Sequence, residues 1–229
     1  MKTNVKSVKN KKSIIQNTKQ NFGEKSDNQE FYYESLSGKL LGCKAREELI
    51  LKEMRKIKKN DFFLEVGCAQ GYYLKRALGR TKNVFGIDIS KGFIEKAKKT
   101  GAKVEIASGE KLPFKDNYFD IVLCTETLEH IPDWKKSVKE IKRVLNKNGK
   151  VIITIPLEKS FFWKFFSIFF PPEETRGHIN LLTSKEIEKE FEPMKILGKK
   201  FIQTMSITIN NILPQKEKIS MYAFFVFKK

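Results

Sequence analysis

The sequence is poor in the residues that hold metals and disulfides, with three cysteines and two histidines among 229 residues. Cys43, Cys68 and Cys124 are odd in number and lack metal-ligand spacing. A disulfide framework and a cysteine-held metal are therefore not expected, and no metal site is predicted. Free cysteines of this kind serve as small apolar residues, and a reducing, cytoplasmic setting is the expectation. There is no N-terminal apolar segment and no uncharged apolar run of about 18 residues, which argues against a signal peptide and a membrane span. The dinucleotide fingerprint G-x-G-x-x-G is missing, which removes the nicotinamide dehydrogenases. Repeats and heptads are missing as well. Acid is scarce beside base, with 27 Asp and Glu against 45 Lys and Arg, a net charge of +18. That surplus invites a nucleic-acid or anionic-membrane partner. Lysine greatly outnumbers arginine, however, and bidentate phosphate and base recognition favours arginine. The lysines are also scattered over nearly every helix, so a solvated surface is the plainer reading and nucleic acid the less favoured partner.

What is present fits one domain with a full core. The chain is organised around residues 61–92. Phe62, Phe63, Leu64 and Val66 form a short apolar run, the mark of a strand buried on both faces. It ends in the small-residue turn from Gly67 to Gly71, after which Tyr72–Leu78 reads as a helix. A second apolar strand, Asn83–Ile87, ends on Asp88. Strand, glycine turn, helix, strand and terminal carboxylate make the first half of a nucleotide-binding sheet. The glycines let backbone approach a ligand, and the carboxylate can accept from both ribose hydroxyls. Glu65, set before the first glycine, would repel a pyrophosphate but suits a cation.

The pattern Glu65-x-Gly67-x-Ala69-x-Gly71 resembles motif I of the class I S-adenosylmethionine-dependent methyltransferases, with Ala69 at the middle glycine. Further along, Lys103–Ala107 reads as a third strand. Residues 108–133 then resemble the small-molecule, methyltransferase type 11-like branch of that family. Leu112-Pro113-Phe114, Phe119-Asp120, Glu129-His130 and Asp133 match its order and spacing. The resemblance implies a Rossmann-like α/β fold, a doubly wound, mostly parallel seven-stranded sheet whose last strand is antiparallel. It implies S-adenosyl-L-methionine as cofactor. Contacts to it carry over to Glu65, Gly67, Cys68, Ala69, Gly71, Asp88, Ile89 and Thr125, with Ser108, Gly109 and Glu110 at the adenine end. Ser108 stands where the family usually has an acid for the adenine amino group. A serine accepts without charge assistance, so Glu110 or a backbone group is the substitute to look for.

Residues 1–30 read as a basic, disordered tail, and residues 31–229 as the methyltransferase domain. Within it, residues 31–60 form an N-terminal helical cover, where Leu49, Ile50, Met54 and Ile57 share one face. The resemblance implies that this segment covers the ligand cleft, with Tyr32 or Tyr33 as a contact to cofactor or substrate and core packing as the plainer role. Ser90 is the expected N-cap of a helix through Lys99. Trp134–Leu145 is amphipathic and is expected to stop at Asn148-Gly149, before a fifth strand over Val151–Ile155. Residues 157–182 form an aromatic insert centred on FFWKFFSIFF, too short to span a bilayer. A lid over an apolar pocket, a membrane-interface contact and plain core packing all remain open for it. Thr183 and Glu186 form a capping box. Lys195–Thr208 and Ser220–Phe227 supply the last two strands.

Methyl transfer calls mainly for alignment, with a base where the nucleophile must lose a proton. His130, His178 and Glu126 are the candidate catalytic residues. The expected function is transfer to a small, hydrophobic acceptor such as a quinone precursor, isoprenoid or other lipid. The expected location is cytoplasmic, with peripheral contact to anionic membrane admitted. RNA or protein methylation is the rival, weakened because Cys124-Thr-Glu-Thr127 replaces the Asn/Asp-Pro-Pro-aromatic signature of amino-methylating nucleic-acid enzymes. A non-catalytic S-adenosylmethionine-binding relative is the other.

Overall fold

The computed structural model describes residues 43–161, 163–164, 178–203 and 215–229. The expected tail 1–30, Tyr32, Tyr33, most of the aromatic insert and the end of the strand expected over 195–208 lie outside the described residues.

Helix α1 (Cys43–Met54) leads into β1 (Phe63–Val66), α2 (Tyr72–Leu78), β2 (Val84–Asp88), α3 (Lys91–Ala97) and β3 (Lys103–Ile106). There follow β4 (Phe119–Thr125), α4 (Trp134–Val144), β5 (Leu145–Pro156), α5 (Ser184–Phe191), β6 (Lys195–Ile202) and β7 (Tyr222–Lys228). The strands form one seven-stranded sheet in the order β3-β2-β1-β4-β5-β7-β6. Strands β1 to β5 pair in parallel, and β7 enters antiparallel between β5 and β6. This is the Rossmann-like architecture implied by the resemblance.

Every residue of β1 is buried, as a continuous apolar run demands when helices cover both faces. On one face Val138, Ile141 and Val144 of α4 pack with Ile187 and Phe191 of α5. On the other, Ile50 and Met54 of α1, Leu74 and Ala77 of α2 and Ile94 of α3 close the second layer. The stacked rings of Phe191 and Phe227, centroids 4.5 Å apart, tie α5 to the inserted β7. The caps follow local chemistry. The Ser90 hydroxyl accepts from the Phe93 amide, the Asp133 carboxylate from the Lys136 amide, and Thr183 and Glu186 complete the reciprocal box.

The Leu112-Pro113-Phe114 motif has a structural role. Phe114 meets Phe119 edge-on at 4.9 Å. Arg143 donates to the carbonyls of Leu112 and Phe114 and pairs with Glu140 and Asp116. One boundary differs from expectation. Helix α4 ends at Val144 and the chain becomes extended at once, so Asn148-Gly149 lies inside β5 rather than ending the helix. Leu145 is fully buried opposite Phe119, and Asn146 binds Asp120 through its side chain, which together pull the chain into the sheet.

Candidate active site

The carboxyl ends of β1, β2 and β4 converge where open α/β sheets bind ligands. After β1, the amides of Gly67 and Cys68 both donate to the carbonyl of Ile87, at 2.9 Å each, so the turn is pinned against the end of β2. Gly67 has φ +76°, and a Cβ there would lie 2.4 Å from Thr127 Oγ1, so the turn after β4 packs where a side chain would be. Ala69 also takes a left-handed conformation, φ 43°, in which a Cβ is strained by about 1–2 kcal/mol. Its amide is held at 3.0 Å by Asp88 Oδ2, while Asp88 Oδ1 accepts from the Ser90 amide at 2.8 Å. The carboxylate thus fixes both the glycine turn and the start of α3.

Two carboxyls face the same small volume. Glu65 is buried, and its Oε2 has no hydrogen-bond partner. Burial, and then the charge of Asp88, push its carboxyl well above the ordinary range, against an opposing hydrogen bond from the Leu74 amide. Burial raises Asp88 as well, opposed by the amides of Ser90, Ala69 and Ile89. Two desolvated acids that repel each other are relieved by a cation. Cys68 is nearly inaccessible, and burial pushes its thiol far up, so it contributes backbone and packing rather than a thiolate.

At the other end of the crevice Ile89 exposes 48% of its side-chain-bearing surface beside Asp88, an apolar rim after a polar anchor. Ser108 Oγ accepts from the Glu110 amide at 3.1 Å. Glu110 turns away, its Oε1 accepting from the Asp133 amide at 2.8 Å, where it ties the loop to α4. As a charged substitute for Ser108 at adenine, Glu110 is therefore already engaged. Gly109 is required by close packing, since a Cβ would sit 2.8 Å from Ile131 Cδ1. The carbonyl of Thr125, at the end of β4, accepts from the Thr127 hydroxyl at 2.8 Å, and the carbonyl of Val66 lies 3.3 Å from the same hydroxyl. Thr127 thus joins the ends of β1 and β4.

The three candidate bases follow β4 or dock beside it. Glu126 sits at φ 47°, with Oε1 accepting from Thr154 Oγ1 at 2.9 Å and Oε2 3.0 Å from Arg46 Nη1. Arg46 comes from α1, is 3% exposed and stacks over the Tyr222 ring at 4.4 Å. Glu126 is thereby an ion-pair partner, which disfavours it as a base. His130 and His178 meet edge-on with ring centroids 4.5 Å apart, and Glu158 binds His178 Nδ1. The segment after His178 is sewn to the turn before His130: the amides of Ile179 and Asn180 both donate to the Glu129 carbonyl, and Asn180 Nδ2 donates to the Ile131 carbonyl at 2.7 Å. Glu129 itself is fully buried, and neither carboxylate oxygen has a hydrogen-bonding partner. Burial first, then Glu126, push its carboxyl well up.

The structure therefore brings together Glu65, Gly67, Ala69, Asp88 and Thr127 in one group and Glu126, Glu129, His130, Glu158 and His178 in another. Arg46, Thr127, Thr154 and Glu158 were not singled out in the sequence. No local pattern marks them, because each acts on a residue far away in the chain or across the sheet. A groove of about 530 Å³ at the opposite, amino edge of the strands is lined by Lys56, Lys58, Asp61, Asp120 and Lys150, remote from all of these.

Residues 64–153 match the family model described as a methyltransferase domain. An uncharacterized protein of Methanocaldococcus jannaschii is 37% identical over 150 residues, covering 65% of this chain and 69% of its own. The demethylmenaquinone methyltransferase of Staphylococcus aureus is 32% identical over 136 residues, covering 53% of this chain and 56% of its own, so the chain spans little more than half of that relative. A S-adenosylmethionine-dependent methyltransferase of Thermotoga maritima, titled a possible histamine N-methyltransferase, shares the fold at TM-score 0.63 and 19% identity, over 91% of this chain and 97% of its own. The chain belongs to the class I S-adenosylmethionine-dependent methyltransferases. Its cofactor is S-adenosylmethionine, and the unpartnered Glu65 oxygen beside Asp88 fits a ligand that carries a sulfonium and an ammonium.

Proposed function

We propose that this methyltransferase acts on a small, largely apolar acceptor of the quinone-precursor, isoprenoid or other lipid kind. The observation that carries the reading is the His130–His178 pair at the carboxyl edge, with Glu158 on His178 Nδ1. It supplies a proton acceptor next to the strand ends where the cofactor is held. Similarity to a demethylmenaquinone methyltransferase supports an apolar acceptor. So do Ile179 and Leu181, apolar side chains 38% and 50% exposed just after His178.

S-adenosylmethionine, when bound, supplies an electrophilic methyl group on a positively charged sulfur. Glu65 and Asp88 hold and orient the ligand, and alignment of the two reactants accounts for much of the rate. Glu158 fixes the His178 tautomer so that Nε2 accepts the acceptor's proton. Among the described residues no helix is long and apolar enough to cross a membrane. Peripheral contact of the lysine-rich surface with an anionic membrane would bring the enzyme to a lipid acceptor.

The net charge of +18 favours one second reading, an RNA or protein acceptor. The test uses methyl-labelled S-adenosylmethionine, the purified full chain and a lysate of the source organism. Enzyme-dependent label in the solvent-extractable fraction supports the apolar acceptor. Label in acid-precipitable RNA or protein overturns it. Cofactor binding with no transfer to any fraction would mark a non-catalytic relative.

A further inference from the structure

We infer that Glu129, His130 and His178 form a site for one divalent transition-metal ion, whose open positions take a hydroxyl of the acceptor. One ligand atom from each residue lies within 4.8 Å of the others. Ligands bound at about 2.1 Å stand roughly 3 to 4 Å apart around one ion, so small side-chain rotations close the set. The second observation is independent of that spacing. Glu129 is 0% exposed, and among the described residues neither of its carboxylate oxygens has a hydrogen-bonding partner. Buried carboxylates are paired, hydrogen-bonded or bound to metal.

The surroundings complete the arrangement. Glu158 binds His178 Nδ1 and leaves Nε2 to coordinate, the carboxylate–imidazole–metal relay that orients ligating histidines. The amides of Ile179 and Asn180 donate to the Glu129 carbonyl, which fixes the backbone of two ligands relative to each other before any ion arrives. Near Glu129 the one guanidinium of Arg46, paired with Glu126, is outnumbered by the carboxyls of Glu126, Glu129 and Glu158, a balance that favours a cation. Two imidazoles and one carboxylate select zinc, manganese, iron or cobalt over magnesium and calcium, which prefer all-oxygen sites. Three protein ligands leave positions open for an outer oxygen.

Ion binding stands without the methyl-transfer reading, whereas the role given to the ion rests on it. A hydroxyl bound to a divalent ion becomes more acidic. With the ion bound, His178 Nε2 is a ligand and no longer the base: the acceptor O–H bond breaks, the proton passes to water, and the oxygen keeps its electron pair under the ion's charge. The acceptor class narrows accordingly to molecules with a phenol, enol or other hydroxyl that can reach a metal.

The test is isothermal titration of the chelator-treated full chain with Zn²⁺, Mn²⁺, Co²⁺ and Mg²⁺, with visible absorption followed for Co²⁺. One equivalent of a transition ion is expected, with Mg²⁺ bound at least 10-fold more weakly. Glu129→Gln and His130→Ala should abolish the stoichiometric binding, and Glu158→Gln should weaken it about 10- to 100-fold. S-adenosylmethionine binding by each variant, measured separately, reports that the fold persists. Absence of a stoichiometric site in the wild-type chain overturns the inference, as does undiminished binding in His130→Ala. Metal bound without methyl transfer would sink the methyl-transfer reading alone. Cofactor bound without metal would sink only this inference.

Discussion

Asparagine in place of Asp88 removes one charge and turns one acceptor into a donor. In the native site Oδ2 accepts from the Ala69 amide at 3.0 Å and Oδ1 from the Ser90 amide at 2.8 Å. Whichever way the new amide group is turned, its NH₂ confronts one of those two N–H groups. A hydrogen bond to a charged acceptor is worth about 1.5–3 kcal/mol, and a stranded buried amide costs about 1–3 kcal/mol. The change also removes the repulsion that raises the Glu65 carboxyl, which offsets part of the loss. The expected net effect on the ligand-free protein is a destabilisation of about 1–2 kcal/mol, read by urea unfolding at neutral pH. On the proposed hold of the ribose by Asp88, the substitution should weaken S-adenosylmethionine roughly 10- to 100-fold by calorimetry. The pH dependence runs in two directions. Because burial raises Asp88, its contribution to folding is present below the ordinary Asp range and fades as pH rises through the folded value. Cofactor binding needs the carboxylate, so affinity should rise with pH over that same window, and the Asp88→Asn protein should lack that rise. Unchanged stability together with unchanged cofactor affinity would refute the reasoning.

Ala69→Gly should relieve left-handed strain of about 1–2 kcal/mol while adding unfolded-state entropy, for a net gain of up to about 1 kcal/mol in unfolding free energy. A measured loss would show that the strain is not borne there. Gly67→Ala should destabilise by about 2–4 kcal/mol through φ strain and the approach to Thr127. Combined with Thr127→Ala, its cost should shrink in a double-mutant cycle, and strict additivity would contradict the packing account. Arg46→Met should cost about 3 kcal/mol, because it leaves Glu126 facing a buried gap, and an unfolding curve like that of the wild type would count against the ion pair. Glu140 is lowered chiefly by its Arg143 hydrogen bonds, so the pair stabilises above the ordinary Glu range and is lost as pH falls through the lowered value. Glu140→Gln should therefore flatten the acid limb of the stability profile, as followed by thermal unfolding from neutral to acidic pH.

The turn after β1, where the cofactor is proposed to sit, was legible because its geometry is local. Strand, turn and carboxylate fall within residues 61–92, and a positive φ or a strand end leaves a mark in composition, as Gly67, Gly71 and Asp88 do. The alternation of buried strands and amphipathic helices likewise gave the parallel part of the sheet, while the antiparallel last strand came from the family resemblance. The end of α4 was read to within one residue, but the start of β5 was not, because Asn148-Gly149 looks like a local stop. A nonlocal contact, Leu145 buried against Phe119, already begins the strand. Glu110 shows the same nonlocality: its type suited the adenine end, while one of its oxygens accepts from the Asp133 amide across the loop, a contact no local pattern marks.

The acceptor half is assembled from residues 46, 126 to 130, 154, 158 and 178, brought together by the sheet and by the docking of Ile179 and Asn180 on the Glu129 carbonyl. Each of these side chains is ordinary in its own neighbourhood, and the resemblance alone assigned both histidines to the cleft where their rings meet at 4.5 Å. The division has a functional consequence. A fixed cofactor cradle built from one contiguous stretch can be kept while distant segments change, and those segments supply the groups that face the acceptor. Arg46 makes the dependence concrete, since a residue of the N-terminal helix neutralises Glu126. On the proposed reading, the charge that an acceptor meets beside the histidine pair is therefore set in part by α1, outside the contiguous stretch of residues 61–92.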